Sequence, residues 1–192
     1  MFLLLLHRRK FYGAAFYVVF VVMKGSICTM SMEAVRRYLD LFGLKDRIQE
    51  FSQSSATVGL AAQALSVIPA RIAKTLSFLV GDGCVLVVTA GDAKIDNGKY
   101  KQQFGTKAKM LTPEQVVFFT GHAVGGVCPF ALPADADVKV YTDCSLQRFD
   151  VVFPAAGTAS SAVRLSCQEL FETSRSQGWI DVCKGWQLEE QG

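Results

Sequence analysis

Lys74 is the first side chain whose position in the sequence suggests chemistry. It lies within the apolar run of residues 72–80 (IAKTLSFLV), where a charged ammonium group is costly to bury. A lysine in such a run either extends its ammonium group to the surface along an apolar stem or holds an anionic ligand. The compact charge suits a phosphate or a carboxylate, and both interpretations stay open at this point.

The segment Gly125-Gly126-Val127-Cys128-Pro129 is the second candidate. Paired glycines let the backbone approach a ligand closely and direct N–H groups at an oxyanion, and an ordinary turn is the alternative. Cys128 is a candidate nucleophile if a base lowers the pKa of its thiol, and His122 lies six residues earlier. A buried, unreactive thiol is the alternative for Cys128.

A cluster of lysines is the third candidate. Its members lie within 16 residues of sequence: Lys94, Lys99, Lys101, Lys107 and Lys109. Asp92 and Asp96 weaken the positive field of this cluster. The lysines form either a solvated helix face or a contact with a nucleic-acid phosphate backbone.

Other kinds of site are not indicated by the sequence. It contains no GxxxxGK[ST], GxSxG or HExxH motif, and no GxGxxG after a predicted strand. With two histidines and six cysteines that lack CxxC spacing, a Cys/His zinc site is not expected. We therefore predict no metal and no cofactor, and reduced, mostly buried thiols, which favour a cytoplasmic location.

The charge of the chain is divided unevenly. Of the 20 basic groups, four lie in residues 1–31, which hold no acidic group, so residues 32–192 have 16 basic and 17 acidic groups and a net charge of −1. This balance excludes a globally basic nucleic-acid binder, and the high apolar content excludes a disordered chain. The length suits one domain, which we assign to residues 32–192.

Residues 1–31 form an apolar and basic leader. Its run Phe11–Met23 has 13 apolar or small residues, fewer than the roughly 20 that a membrane-spanning helix needs. Three interpretations stay open: a signal peptide, a short membrane anchor, or translation upstream of a true start at Met30 or Met32. A membrane is an expected partner only if this leader belongs to the native protein.

The elements that must position these residues follow from hydrophobic periodicity and from cap and turn signals. The predicted helices are 33–42, 58–65, a helix capped by Asp96 that runs to Phe104, one that opens at Thr112 and ends at Gly121, and one from Ser166 to about Arg175. The predicted strands are 48–51, 74–80, 84–90, 138–142, 151–153 and 161–165, with a hairpin turn at residues 81–83. Strands and helices mix without strict alternation, which favours an α+β fold with a mixed sheet.

Taken in order, three elements of the sequence resemble one family. They are Pro69-x4-Lys74-Thr75-Leu76, then a hairpin that ends with Val88-Thr89, then Thr120-Gly121-x-x-Val124-Gly125-Gly126-x-x-Pro129. This pattern is similar to that of the YbaK/EbsC-type aminoacyl-tRNA deacylases, which are related to the editing domain of bacterial prolyl-tRNA synthetases. The resemblance covers roughly residues 33–184.

The resemblance implies a fold, an activity and a set of site residues. The fold is a mixed, barrel-like β-sheet flanked by helices, and the activity is hydrolysis of the ester that joins a wrong amino acid to the 3′ end of a tRNA. A positioned water with substrate assistance performs the reaction, without a metal or a Ser-His-Asp triad. The implied catalytic residues are Lys74, Gly125 and Gly126, and the implied substrate-binding residues are Thr75, His122, Val127, Cys128, Pro129, Ser160 and Ser161. The implied partners are the tRNA 3′ end and an aminoacyl-tRNA synthetase.

Two departures from the family pattern leave the substrate open. Cys128 stands where similar proteins often have serine, and Ala162 stands where some have an acidic residue, with Ser160 or Ser161 as replacement hydroxyls. Cysteinyl, alanyl, seryl and threonyl esters are all candidate substrates. The alternatives are a non-catalytic module of the same fold that binds tRNA or a synthetase, and a thiol enzyme that uses Cys128.

Overall fold

The computed structural model describes residues 27–52 and 55–187, with side chains described from residue 32 onward. Residues 1–26, most of the predicted leader, lie outside the described residues. Within the described ranges, no helix is both long enough and apolar enough to span a bilayer.

Helices and short strands alternate irregularly along the chain. The helices are α1 (Ile27–Asp40), α2 (Val58–Leu65), α3 (Asn97–Phe104), α4 (Pro113–Thr120) and α5 (Cys167–Thr173). The strands are β1 (Ile48–Glu50), β2 (Ile72–Val80), β3 (Gly83–Ala90), β4 (Lys94–Ile95), β5 (Val138–Asp143), β6 (Val151–Pro154), β7 (Ser161–Val163), β8 (Leu165–Ser166), β9 (Trp179–Ile180) and β10 (Cys183–Lys184). Single 3-10 turns cover Lys45–Arg47, Pro69–Arg71 and Cys144–Arg148.

Six strands form the main sheet, in the order β8-β6-β2-β3-β5-β9. The β2–β3 hairpin is antiparallel, and Lys74 lies opposite Thr89 in its register. β6 joins β2 in parallel on one side, and β5 joins β3 in parallel on the other. The pairs β1–β7 and β4–β10 form two small antiparallel sheets. The sheet curls into a half-barrel, so the predicted α+β fold with a mixed, barrel-like sheet flanked by helices is confirmed.

Local cap signals account for where the helices begin. Thr112 and Gln115 form a reciprocal capping box at α4, and Ser166 and Glu169 form another at α5. Asp96 accepts hydrogen bonds from the first backbone N–H groups of α3. These helix starts were predicted from the sequence and are confirmed.

Some boundaries differ from the predictions. The first helix is Ile27–Asp40 rather than 33–42, so it begins within the predicted leader and stops short of Phe42. The predicted strand 161–165 is two strands, β7 and β8, because the chain changes partners at Arg164, from β1 to β6. β4, β9 and β10 were not predicted, since a strand of two residues has no periodicity to detect.

The hydrophobic core surrounds β3. All eight residues of β3 are buried, as expected for a strand covered on both faces. Val35 and Leu39 of α1 belong to this core, and Tyr100 of α3 packs against Phe78 of β2 with ring centroids 4.9 Å apart. β2 is therefore a strand held firmly on its β3 side.

The other edge of β2 is only partly paired. Ile72 and Ala73 pair with β6, and Phe78 forms a single bridge with Met110. In the described residues, no strand pairs with this edge between those two points. Lys74, Thr75 and Leu76 therefore lie beside a gap in the half-barrel.

Candidate active site

A cavity of about 340 Å³ opens at the gap in the half-barrel, beside the partly paired edge of β2. Its walls come from β2, from the N-terminal parts of α2 and α4, and from two other segments, residues 124–127 and 155–162. A cavity of this size accommodates a small organic group rather than a folded partner.

Lys74 is half-buried and lines this cavity. Its Nζ donates hydrogen bonds to the carbonyl oxygen of Gly91, at 3.1 Å, and to that of Ala93. Burial lowers the pKa of Lys74, while the nearby Cys183 and Asp92 raise it. The ammonium group of this lining residue is therefore held by the backbone carbonyls of Gly91 and Ala93, which do not themselves line the cavity, an arrangement that neither sequence interpretation included.

Thr75 presents the adjoining polar group. Alternate residues of a strand share a face, and Ala73, Thr75 and Ser77 all line the cavity. The Oγ1 atom of Thr75 is buried and has no hydrogen-bond partner among the described residues. An unpaired buried hydroxyl is costly, so Oγ1 of Thr75 is an unsatisfied polar atom in the wall of the cavity. Ser77 was missed from the sequence, although the two-residue period starting at Thr75 points to it.

Gly125 and Gly126 each require glycine, for different structural reasons. Gly125 lines the cavity and has a φ of +95°, in the region that favours glycine. At Gly126 a Cβ atom would lie 2.6 Å from Cα of Thr158 and 2.8 Å from the carbonyl carbon of Gly157. The N–H of Gly126 donates to the carbonyl of Ala123 at 3.0 Å, so within this structure that N–H closes a turn.

His122 and Cys128 lie behind the loop, buried, and outside the cavity lining. Nε2 of His122 is 2.9 Å from the carbonyl oxygen of Phe130 and 3.4 Å from Sγ of Cys128. A carbonyl only accepts, so Nε2 carries a proton and cannot take one from the thiol. Burial raises the pKa of Cys128 to about 12, although backbone N–H groups of Phe130 and Gly157 lower it. Burial lowers the pKa of His122.

Some of the other predicted site residues line the cavity and some do not. Val127 and Ser161 line the cavity together with Ala162, whereas Pro129 and Ser160 do not. Ser161 accepts a hydrogen bond of 2.8 Å from the hydroxyl of Thr158, a lining residue that the sequence prediction did not include.

The cavity has a simple electrostatic character. Among the described residues that line it, Lys74 is the charged one, and the others are apolar, glycine, or hydroxyl side chains. Within residues 27–52 and 55–187, no group of three or more His, Cys, Asp and Glu residues is arranged to hold a metal ion. The cavity therefore suits a neutral group or one with partial negative charge near Lys74.

One lysine of the predicted cluster is engaged in an ion pair, and the others are exposed to solvent. Lys99 is paired with Asp181 at 2.8 Å and also approaches the carbonyl of Cys183. The remaining members are exposed: Lys94, Lys101, Lys107 and Lys109. Lys109 directly precedes Met110, which lines the cavity and is 55% exposed at its rim.

Comparison with known proteins finds one matching family model and several similar proteins. The family model described as an aminoacyl-tRNA editing domain matches residues 53–173. An uncharacterized protein of Bacillus subtilis (strain 168), YwhH, is 51% identical over 159 residues, which are 82% of this chain and 100% of that protein. A proline–tRNA ligase of Thermotoga neapolitana is 30% identical over 92 residues, and the match spans only 15% of the ligase. The crystal structure of a proposed trans-editing enzyme for prolyl tRNA synthetase superposes with a TM-score of 0.73 and 29% identity, covering 81% of this chain and 98% of that one.

Proposed function

Because the chain belongs to the aminoacyl-tRNA editing domain family, we propose that it is a stand-alone hydrolase that removes wrongly attached amino acids from tRNA. The observation that carries the proposal is the cavity beside β2. Its described lining brings together Lys74, the Thr75 hydroxyl, which has no hydrogen-bond partner among the described residues, and Gly125 of the glycine loop, at a size that admits an aminoacyl group.

The proposed reaction is hydrolysis of an ester. A water molecule attacks the carbonyl carbon of the aminoacyl group, and the bond between that carbon and the ribose oxygen breaks. The leaving ribose oxygen takes up the proton that the water gives up and becomes a hydroxyl. The products are a free amino acid and an uncharged tRNA. A hydroxyl of the substrate's own ribose assists the water, so the protein contributes mainly orientation and polarisation of the carbonyl.

We assign the roles by position. Lys74 faces the negatively charged 3′ end of the tRNA, and the backbone at Gly125 and Gly126 shapes the wall against which the aminoacyl group lies. Thr75, Val127 and Ser161 contact the substrate from the cavity wall. Ser160 acts through Thr158, whose hydroxyl it contacts and which donates to Ser161. His122 and Cys128, which contact each other outside the cavity lining, keep the loop in shape, and Pro129 fixes its exit.

The proposed substrates are esters of small amino acids, namely cysteinyl, alanyl, seryl and threonyl groups. A hydrophobic pocket separates substrates that differ by one methylene by only about 1–3 kcal/mol, so a synthetase needs a second site to reject such errors. The hydroxyls of the cavity wall favour a polar or small side chain over a large apolar one.

A panel of mischarged tRNAs tests the proposal. We expect release of at least one small amino acid well above the uncatalysed rate. Release of none of the four would instead support the second candidate, a non-catalytic module that binds tRNA or a synthetase. Ala162 favours that candidate, because it lines the cavity where some similar proteins carry an acidic residue. We further propose that the protein acts in the cytoplasm, where its described cysteines, all free, stay reduced.

Lys74→Ala is the sharpest single substitution. We expect it to remove most of the deacylation while the thermal midpoint of unfolding shows that the fold persists. Lys139→Ala, which removes an exposed lysine of β5, is the matched control and should keep full activity. Near-wild-type turnover of Lys74→Ala at saturating tRNA would show that Lys74 has another role.

A further inference from the structure

The position of the Lys74 ammonium group depends on one short turn. Its two hydrogen-bond acceptors are the carbonyls of Gly91 and Ala93, on either side of Asp92. The turn is closed by a hydrogen bond from the N–H of Ala93 to the carbonyl of Ala90, at 3.1 Å. Any change in the shape of this turn moves both acceptors and the ammonium group with them.

One side of this turn, at Gly91, is tightly packed. A Cβ atom on Gly91 would lie 2.1 Å from the carbonyl oxygen of Pro69 and 2.6 Å from Cγ1 of Val58. The turn therefore presses against the start of α2 and the 3-10 turn that precedes β2. Because Val58 lines the cavity, a displaced turn would alter the cavity wall as well.

The other side of the turn is held by an ion pair. Oδ1 of Asp92 accepts a hydrogen bond of 2.7 Å from Nη2 of Arg148. The guanidinium group is fixed by contacts of its own: Nε donates to the carbonyl of Ser145 and Nη1 to that of Trp186, both at 2.9 Å. The same group lies 4.9 Å from the ring centroid of Phe149 and 5.2 Å from the ring of Trp186.

The segment that carries Arg148 also holds the start of the turn. The hydroxyl of Ser145 accepts a hydrogen bond of 3.1 Å from the N–H of Ala90. Ser145 is itself fixed, since its N–H donates to the buried carboxylate of Asp143 at 2.9 Å. Residues 143–148 thus form a rigid support to which the turn is attached at Ala90 and at Asp92.

We propose that Asp92 and Arg148 are positioning residues for Lys74, because their ion pair sets the shape of the turn whose carbonyls hold its ammonium group. Neither residue lines the cavity, so both act through Lys74 rather than on the substrate. The side chains of this ion pair are 28% and 34% exposed, and a pair this close to solvent contributes little to stability, so the expected effect is on geometry. The kinetic part of this inference rests on the proposed function, and the geometric part does not.

Two conservative variants test the inference. Arg148→Lys keeps the charge but loses the planar donor group. Asp92→Asn keeps the shape but removes a charge that raises the pKa of Lys74, so a rise in labelling confined to Asp92→Asn would overturn the inference. The control is Asp40→Asn, which breaks the ion pair with Lys45 at the far end of α1. Each protein is labelled briefly with acetic anhydride, the acetylation rate of Lys74 is measured by mass spectrometry, and turnover is measured on the mischarged tRNA that the wild type cleaves.

We expect Lys74 to be acetylated several-fold faster in both variants and not in the control, while Lys99, the internal reference, keeps its rate. We expect kcat to fall by about 10-fold to 100-fold, the scale of loss for a group displaced by about 1 Å, with little change in KM. Unchanged labelling and turnover would overturn the inference, and so would a joint rise at Lys74 and Lys99, which indicates general loosening. If the wild type cleaves no ester, the proposed function is refuted. If labelling in the variants still rises at Lys74 alone, the positional link between the ion pair and Lys74 is supported.

Discussion

At the scale of single residues, Cys128 has the surroundings of an unreactive thiol. It is fully buried, it accepts backbone hydrogen bonds, and its pKa is raised to about 12. The neighbouring Nε2 of His122 is occupied by the carbonyl of Phe130. A thiol nucleophile needs the thiolate form and access to its substrate, and Cys128 has neither.

Iodoacetamide labelling near neutral pH tests this reading of Cys128. We expect negligible labelling of Cys128 in the folded protein and rapid labelling once the protein is unfolded in denaturant. The half-buried Cys144 serves as the comparison within the same chain and should label faster when folded. Accelerated labelling of Cys128 in the folded protein would restore the thiol-enzyme alternative.

His122 makes the stability of the protein depend on pH. Burial lowers its pKa below the ordinary value of 6.5, so the folded protein favours the neutral ring and the unfolded chain binds the proton more readily. The stabilising contribution is complete above the unfolded-state pKa and is lost as the pH falls through it towards the folded-state pKa.

Denaturant titrations across this pH range measure the effect. We expect the free energy of unfolding to fall as the pH drops below about 6.5, the ordinary histidine pKa, and to fall less steeply in His122→Gln. Equal slopes for the two proteins would assign the pH dependence to other groups.

At the scale of elements, the candidate site depends on two loops that touch through their backbones. The loop after α4 reaches the segment before β7 at Gly126, where even a methyl group would overlap Thr158 and Gly157. The sequence indicated close approach at the paired glycines. The structure shows that the close partner of Gly126 is another part of the chain, while Gly125 and Val127 face the cavity.

Gly126→Ala is expected to push these loops apart. Overpacking of this kind typically costs about 1–3 kcal/mol, and the displaced wall should lower deacylation as well. Gly178→Ala is the matched control, because a Cβ atom there meets nothing within 4 Å. Chemical denaturation and turnover measure the two effects, and wild-type values for Gly126→Ala would mean that the loops separate without cost.

At the scale of the whole molecule, the charge distribution limits how tRNA can bind. Residues 32–192 have a net charge of −1, so this part of the chain as a whole does not attract the tRNA backbone strongly. The exposed lysines near α3 and the cavity rim remain, namely Lys94, Lys101, Lys107 and Lys109. If the proposed function holds, we expect binding through a few such contacts to read the 3′ end and its immediate neighbourhood.

The salt dependence of tRNA binding tests this picture. Each phosphate contact contributes a slope of about −0.7 to −0.9 in log K against log salt, so we expect a shallow overall slope. Replacing Lys101, Lys107 and Lys109 with Gln should weaken binding and flatten the slope, while turnover of a short aminoacyl-adenosine ester stays unchanged. Arg37→Gln, on the exposed side of α1, is the control and should leave the slope as it is. A steep slope that the triple variant does not alter would place the tRNA elsewhere.

The sequence by itself determined most of the local structure, because the signals are local. Capping residues satisfy the first N–H groups of a helix within three positions, so the starts of α3, α4 and α5 were predicted correctly. Apolar β-branched runs identified β2 and β3, and the order of short motifs identified the family. Strands of two residues escaped prediction, because partners distant in sequence define them.

Tertiary structure alone decided which candidate residues meet at the cavity. Lys74, Thr75, Gly125, Val127 and Ser161 line it, whereas His122, Cys128 and Pro129 are buried outside the cavity lining. Neighbours in sequence were separated because backbone direction, rather than residue type, selects which side chains face a cavity. The acceptors of Lys74 and the Asp92–Arg148 pair arise between segments 17 to 56 positions apart, and such contacts exist only once the sheet has brought those segments together.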